Sequence, residues 1–246
     1  MRNIKIELQF DGSRYSGWQR LGDDDNTIQG KLEDLLRKMT SENINVIGCS
    51  RTDKGVHAQS LVCNFFINST MSIFDIEEYI NRYLPDDIVA YNIKEVDERF
   101  HARYNALSKL YRYTIDNNKY PNVFTRKFAS HIPDKLDLDL MKEATNMLIG
   151  SFDFAAFTTM KSKKKSAIRT ISNIAIYREN NYIYIDYEGD GFLHNMIRII
   201  TGTLIRVGKK EISPKDVKSI LEAKDRSIAG PMAEAKGLCL MEVYYP

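Results

Sequence analysis

In the segment Cys49-Ser50-Arg51-Thr52-Asp53-Lys54-Gly55-Val56-His57-Ala58, one carboxylate stands among cations in a short polar loop between two apolar runs. A carboxylate held among cations on a loop suits chemistry better than packing. Arg51 and Lys54 would keep Asp53 ionised, which fits a nucleophile or a base better than a general acid. The plainer interpretation is an exposed Asp-Lys-Gly turn with a local ion pair, and most Asp-x-Gly loops are only that.

Other groups point more weakly to a polyanion. Lys161-Ser162-Lys163-Lys164-Lys165 is the densest cationic run, with Arg169 close behind. Flexible lysines between a helix and a strand suit phosphate contacts, although a charge run alone is more often a solvated loop. Tyr111 and Tyr113 alternate with Arg112, so the two rings share one face of a strand, where tyrosines either stack bases or form half-buried core. Arg14, Arg20, Arg99, Arg103, Arg126 and Lys127 join Arg112 in one basic stripe only if the fold gathers them. The four histidines, His57, His101, His131 and His194, show no HxxxH or HxH spacing. No carboxylate cluster accompanies them, which argues against a metal site. The chain has no GxGxxG or P-loop pattern to indicate a nucleotide cofactor, and no nucleophile elbow.

The elements that must position these groups fall into two similar halves. In the first, residues 2–10 alternate apolar and polar like a half-buried strand. Thr27 caps a helix whose apolar face carries Ile28, Leu32, Leu35, Leu36 and Met39. Strands are expected at 44–47 and 61–67, then a helix from Asp75 to Leu84 stopped by Pro85, then a strand at 88–96. In the second half, a tyrosine-rich strand at 110–116 precedes a helix at 138–149 with Asp137 as cap and Gly150 at its end. Strands at 168–178 and 182–188 flank a Glu179-Asn180-Asn181 turn. A helix at 191–207 ends at Gly208, Ser213-Pro214 opens an extra helix, and 237–245 is the last strand.

This order is β-α-β-β-α-β twice, the pattern of the ferredoxin-like split unit. The expected fold is therefore α+β: two tandem ferredoxin-like units, residues 1–104 and 105–246, with antiparallel sheets whose open faces form a central RNA-binding cleft. Length and composition allow it. A chain of 246 residues, 43% hydrophobic, can bury a sizeable core. A net charge of +2 does not by itself declare a nucleic-acid binder. Cys49, Cys63 and Cys239 sit in apolar runs without CxxC spacing and are expected to be reduced core residues. No apolar stretch approaches membrane-spanning length, and the alternating N-terminus lacks the apolar block of a signal peptide, so a cytoplasmic location is expected.

Beyond these readings, the motifs resemble one family. Arg51-Thr52-Asp53-Lys54-Gly55-Val56-His57-Ala58 resembles the RTDxGVHA signature of the tRNA pseudouridine synthases of the TruA type. Phe10-Asp11-Gly12 with Ser16-Gly17-Trp18-Gln19 is similar to that family's N-terminal strand and loop. Phe100-His101-Ala102-Arg103, Tyr111-Arg112-Tyr113 and Gly191-Phe192-Leu193-His194-Asn195-Met196-Ile197-Arg198 resemble its FHAR, YRY and GFLxxMVR segments. Ala229-Gly230-Pro231 with Gly237-Leu238 resembles its C-terminal APxxGL region. The resemblance implies an enzyme that isomerises uridine to pseudouridine in the anticodon stem-loop of tRNA, at positions 38, 39 and 40 of the tRNA. It implies Asp53 as the catalytic aspartate, Tyr111 stacking on the target base, Arg198 paired with the Asp53 carboxylate and Arg51 holding the flipped nucleotide. Lys54, His57, Arg103, Arg112, Lys163, Lys164 and Lys165 are the remaining candidate RNA contacts. The family uses no cofactor and no metal, and it grips one tRNA as a homodimer. Two positions depart from the bacterial pattern, Ser50 for glycine and Lys54 for alanine, and 162–165 is unusually basic. These departures leave room for a paralogue modifying another RNA. The alternative is a non-catalytic RNA-binding protein of two ferredoxin-like units.

Overall fold

In the computed structural model, which describes residues 1–22, 24, 26–160 and 166–246, the chain divides into two compact units. One comprises Met1–Leu107 with Leu240–Pro246, the other Ser108–Cys239. Both mix strands and helices, and the fold is α+β.

In the first unit, β1 (Arg2–Phe10) buries Ile4, Ile6, Leu8 and Phe10 on one face, as its alternation predicts. It pairs antiparallel with β3 (His57–Ile67) on one side and β4 (Ile88–Val96) on the other. β2 is only Ile47–Gly48 and pairs with β3. Of the strand expected at 44–47 only Ile47 pairs, because helix side chains occupy the Val46 backbone. Val46 N–H donates to Glu33 Oε1 at 3.0 Å, and the Val46 carbonyl accepts from Gln29 Nε2 at 3.1 Å.

Glu33 and Gln29 lie on α1 (Ile28–Thr40), capped by Thr27 Oγ1, which accepts from Gly30 N–H at 3.1 Å. The cap of α2 (Ile73–Tyr83) is Ser72, not Asp75. Ser72 Oγ accepts from Asp75 N–H and donates to the Asp75 carboxylate, a reciprocal pair that starts the helix three residues earlier.

The last strand, β10 (Leu238–Tyr244), was expected wholly within the second unit, yet from Leu240 onward it belongs to the first, where it lies beside β3. Its end is tied there. Leu107 N–H donates to the Tyr244 carbonyl, and the Tyr245 hydroxyl donates to the Ala102 carbonyl at 2.6 Å. The Tyr245 ring packs 5.3 Å from Phe100.

In the second unit the sheet runs β5 (Ser108–Asp116), β9 (Tyr182–Gly189), β8 (Ile168–Glu179), β7 (Gly150–Asp153), and β6 (Ser130–His131) pairs parallel to β5. β7 was not expected. α3 (Leu138–Thr145) stops short of 149 because Asn146, Met147 and Leu148 turn to i→i−3 bonds, and the chain then emerges extended at Gly150. α4 (Met196–Gly208) starts five residues later than expected. Asn195 takes a left-handed conformation, φ 61°, which no helix can pass through, so Gly191 and Phe192 precede the helix. α5 (Pro214–Ala223) follows with Ser213 as the expected N-cap, here in a capping box with Asp216.

Asp116 closes β5 while almost fully buried. Its oxygens accept from Asn118 N–H, Asn118 Nδ2 and Asn122 N–H at 3.1, 2.6 and 2.8 Å. Burial pushes this carboxyl up, but the Asn122 and Asn118 donors outweigh it and hold it below the usual carboxylate range. A depressed folded pKa gives stability that is present above the unfolded value and lost as pH falls through the folded one. Asp116→Ala is therefore expected to lower stability by about 2–3 kcal/mol at neutral pH. Thermal unfolding of both proteins should show that gap narrowing as pH falls below about 4.

Candidate active site

Chain turns of the first unit fix the Asp53 loop. Val56 N–H donates to the Asp53 carbonyl at 3.1 Å, closing the turn, and Gly55 supplies the φ of 79° that its third position needs. The expected Asp-Lys-Gly turn is thus present. It rests on the segment that follows β1. Trp18 N–H donates to the Thr52 carbonyl at 3.0 Å. Gly12 lies so close beneath that a Cβ there would stand 2.0 Å from the Val56 carbonyl oxygen. The Phe10-Asp11-Gly12 and Ser16-Gly17-Trp18 segments are therefore the bed on which the aspartate turn is laid.

His57 begins β3 and is buried. Its Nδ1 accepts from Gly12 N–H at 3.0 Å and lies 3.3 Å from Asp11 Oδ1. The ring in that bond carries its proton on Nε2. The structure thus gives His57 the task of holding the bed rather than a place on the surface.

Around the turn, Arg51 and Lys54 are exposed and Asp53 is half-buried. Hydrogen bonds from the Ser16 hydroxyl and Asn26 N–H hold Asp24 below the usual carboxylate range, and Lys54 adds a smaller pull. Thr52, next to Asp53, is buried, and among the described residues its Oγ1 has no hydrogen-bond partner. A buried hydroxyl left unpaired costs about 1–3 kcal/mol. Thr52→Val keeps the shape and removes that cost, so its unfolding midpoint is expected to rise above the wild-type value in a calorimetric scan.

The second unit holds the other implied residues. Tyr111 on β5 is buried and meets Phe192 edge-on, with ring centroids 5.4 Å apart. Arg198, in the first turn of α4, is bracketed from two sides. Its Nε donates to the Ala233 carbonyl at 2.8 Å and its Nη1 to Asn195 Oδ1 at 3.0 Å. Ala233 N–H returns a bond to the Arg198 carbonyl at 3.0 Å. Asn195 is itself held, donating through Nδ2 to Thr159 Oγ1 at 2.8 Å. The Ala229-Gly230-Pro231 segment packs directly on α4. A Cβ on Gly202 would stand 1.7 Å from the Pro231 carbonyl oxygen, and Gly230 N–H donates to Thr203 Oγ1 at 2.9 Å.

Asn195, Ala233 and Phe192 as supports were not foreseen; their types carry no signal until the chain folds them against Arg198 and Tyr111. Arg112, expected at RNA, is engaged within its own sheet. Its Nε and Nη2 donate to both Asp186 oxygens at 2.7 and 2.8 Å, and the guanidinium lies 5.8 and 5.3 Å from the Tyr177 and Tyr184 rings. The hydrogen bonds to Asp186 push its pKa further up, keeping it charged and neutralised in place. Arg103 is exposed. Lys163, Lys164 and Lys165 lie outside the described residues. Among the described residues, no group of three or more His, Cys, Asp or Glu could hold a metal ion, and no helix is long and apolar enough to cross a membrane.

The family model described as tRNA pseudouridine synthase matches residues 8–105 and 144–246. A protein of Clostridium tetani (strain Massachusetts / E88) named tRNA pseudouridine synthase A 1 is 48% identical over 245 residues, covering 100% of both chains. One of Bacillus cereus (strain ZK / E33L) named tRNA pseudouridine synthase A 2 is 46% identical over 245 residues, again covering 100% of each. A chain from the crystal structure of a Cbf5-Nop10-Gar1 complex is 9% identical with a TM-score of 0.37, covering 96% of this chain and 48% of that one, too slight a likeness to bear on the architecture. With a family model over most of its length and full-length relatives at this identity, the chain belongs to the tRNA pseudouridine synthases of the TruA type, isomerases that convert uridine to pseudouridine in tRNA.

Proposed function

We propose that this chain isomerises uridine in the anticodon stem-loop of tRNA, at positions 38 to 40, with Asp53 as the reactive carboxylate. The observation that carries this is the seat of Asp53. Its turn is closed by one backbone bond, tied to Trp18 by another and pressed on Gly12, so the carboxylate is presented by a preorganised loop. Full-length identity to named synthases supports the substrate.

The reaction breaks the N1–C1′ bond, turns the uracil and joins C5 to C1′. C5 loses a proton and N1 gains one, so atoms and electrons balance without a redox or group-transfer cofactor. An ionised Asp53 can attack the sugar or the base, stabilise an oxocarbenium-like state, or take the C2′ proton to give a glycal. All of these routes need the anion. Tyr111 would stack on the extruded base and Arg198 would pair with Asp53, orienting it and keeping it charged. Arg51 would hold the flipped nucleotide in place, offsetting a few kcal/mol of unstacking. Lys54, Arg103 and 163–165 would meet phosphates.

In this reading the two units are ferredoxin-like, and the enzyme works as a cytoplasmic homodimer. The strand order β4-β1-β3 in the first unit supports the ferredoxin-like assignment. Digesting incubated tRNA to nucleosides and separating them tests whether the chain isomerises uridine. Pseudouridine is expected. Free uracil would mean a glycosidic hydrolase, and unchanged but bound tRNA a non-catalytic RNA-binding protein; either overturns the proposal.

A further inference from the structure

The loop after β4 holds an aromatic ring out in solvent and fixes it there. Tyr104 is 80% exposed, and its ring stacks on that of His101 with centroids 4.1 Å and planes 29° apart. The imidazole is itself locked, since its Nδ1 accepts from Arg103 N–H and Tyr104 N–H, each at 3.2 Å. Asn105 closes the loop from both ends. Its Oδ1 accepts from His101 N–H at 2.6 Å, and its N–H donates to the His101 carbonyl at 3.0 Å. Ala102 bolts the loop to the first unit, donating to the buried Asn64 Oδ1 at 2.9 Å and accepting from the Tyr245 hydroxyl.

A single exposed tyrosine is ordinary. A tyrosine whose one ring face is backed by a locked imidazole, while most of its surface stays in water, is a preorganised plane. Exposed Arg103 and Asn105 flank it directly. A rigid ring beside a cation is the chemistry that takes an unpaired nucleobase, the base on the ring and its phosphate on the guanidinium.

We infer that the Tyr104 ring is a stacking platform for an unpaired base of the tRNA substrate, separate from the contact proposed for Tyr111. The inference rests on tRNA being the substrate. Fluorescence anisotropy with purified tRNA across a salt series tests it on the wild type, Tyr104→Ala, Tyr104→Phe and Arg103→Ala. Base–aromatic stacking predicts that Tyr104→Ala weakens binding by about tenfold or more without changing the salt slope. The loss should appear in KM. Tyr104→Phe, which keeps the ring, should bind like the wild type, and Arg103→Ala should reduce the salt slope by about one.

Wild-type affinity in Tyr104→Ala would overturn the inference. So would an equal loss in Tyr104→Phe, which would point to the hydroxyl, or a change in oligomeric state, which would point to a protein contact. The exposed side chain leaves the fold intact, so an unchanged thermal midpoint serves as control. If the wild type bound tRNA but made no pseudouridine, the catalytic reading would fail while this comparison stood.

Discussion

Asp53→Asn is expected to fold and bind tRNA as the wild type does and to form pseudouridine on the order of 10⁴-fold more slowly or worse. Asparagine keeps the shape of the side chain and removes only the anion. The turn is closed by the Val56 N–H to Asp53 carbonyl bond and by the Trp18 bond to Thr52, both of backbone atoms, which the substitution leaves in place. Asp53→Glu keeps the charge on a longer arm. A displacement of about 1 Å at a reacting group costs about 10²-fold, so the glutamate variant should fall between the two. Single-turnover time courses, with thermal unfolding as control, measure both. A near-wild-type rate in Asp53→Asn would remove Asp53 from the chemistry.

Gly202→Ala should damage the second unit most, although alanine is the better helix former by about 1 kcal/mol. The new methyl would lie 1.7 Å from the Pro231 carbonyl oxygen and 2.8 Å from its carbon, so backbone must move. The strand of chain from Ala229 to Ala233 would lift off α4. That motion strains the Gly230 bond to Thr203 and both bonds between Ala233 and Arg198. Overpacking of this kind costs about 1–3 kcal/mol, and lost buried hydrogen bonds add to it. At ~2–4 °C per kcal/mol for a chain of this size, the unfolding midpoint should drop by about 4–8 °C. Activity should fall with it, because Arg198 loses its bracket. An unchanged midpoint would show that Pro231 does not approach α4 this closely.

Much of the secondary structure was legible because its signals are local. The alternation in β1 and β9, the Thr27, Asp137 and Ser213 caps, and the Asn180-Asn181 turn each depend on residues within a few positions of one another. What could not be read depends on distant partners. Residues 44–46 look like a strand, but Glu33 and Gln29 take up the Val46 backbone. Residues 191–195 carry helical spacing, but Asn195 breaks the backbone sense before α4. The end of β10 follows its buried partners into the first unit.

For the site, the order of residue types alone marked out one carboxylate among cations and the family to which the chain belongs, since both are properties of the chain read in line. Only the tertiary structure decided what holds each candidate side chain within its own unit. It laid the Asp53 turn on Gly12, buried His57 beneath it, neutralised Arg112 with Asp186 and clasped Arg198 between Asn195 and Ala233. A side chain's charge and freedom are set by its burial and its hydrogen-bond partners, and here most of those partners lie dozens of positions away along the chain.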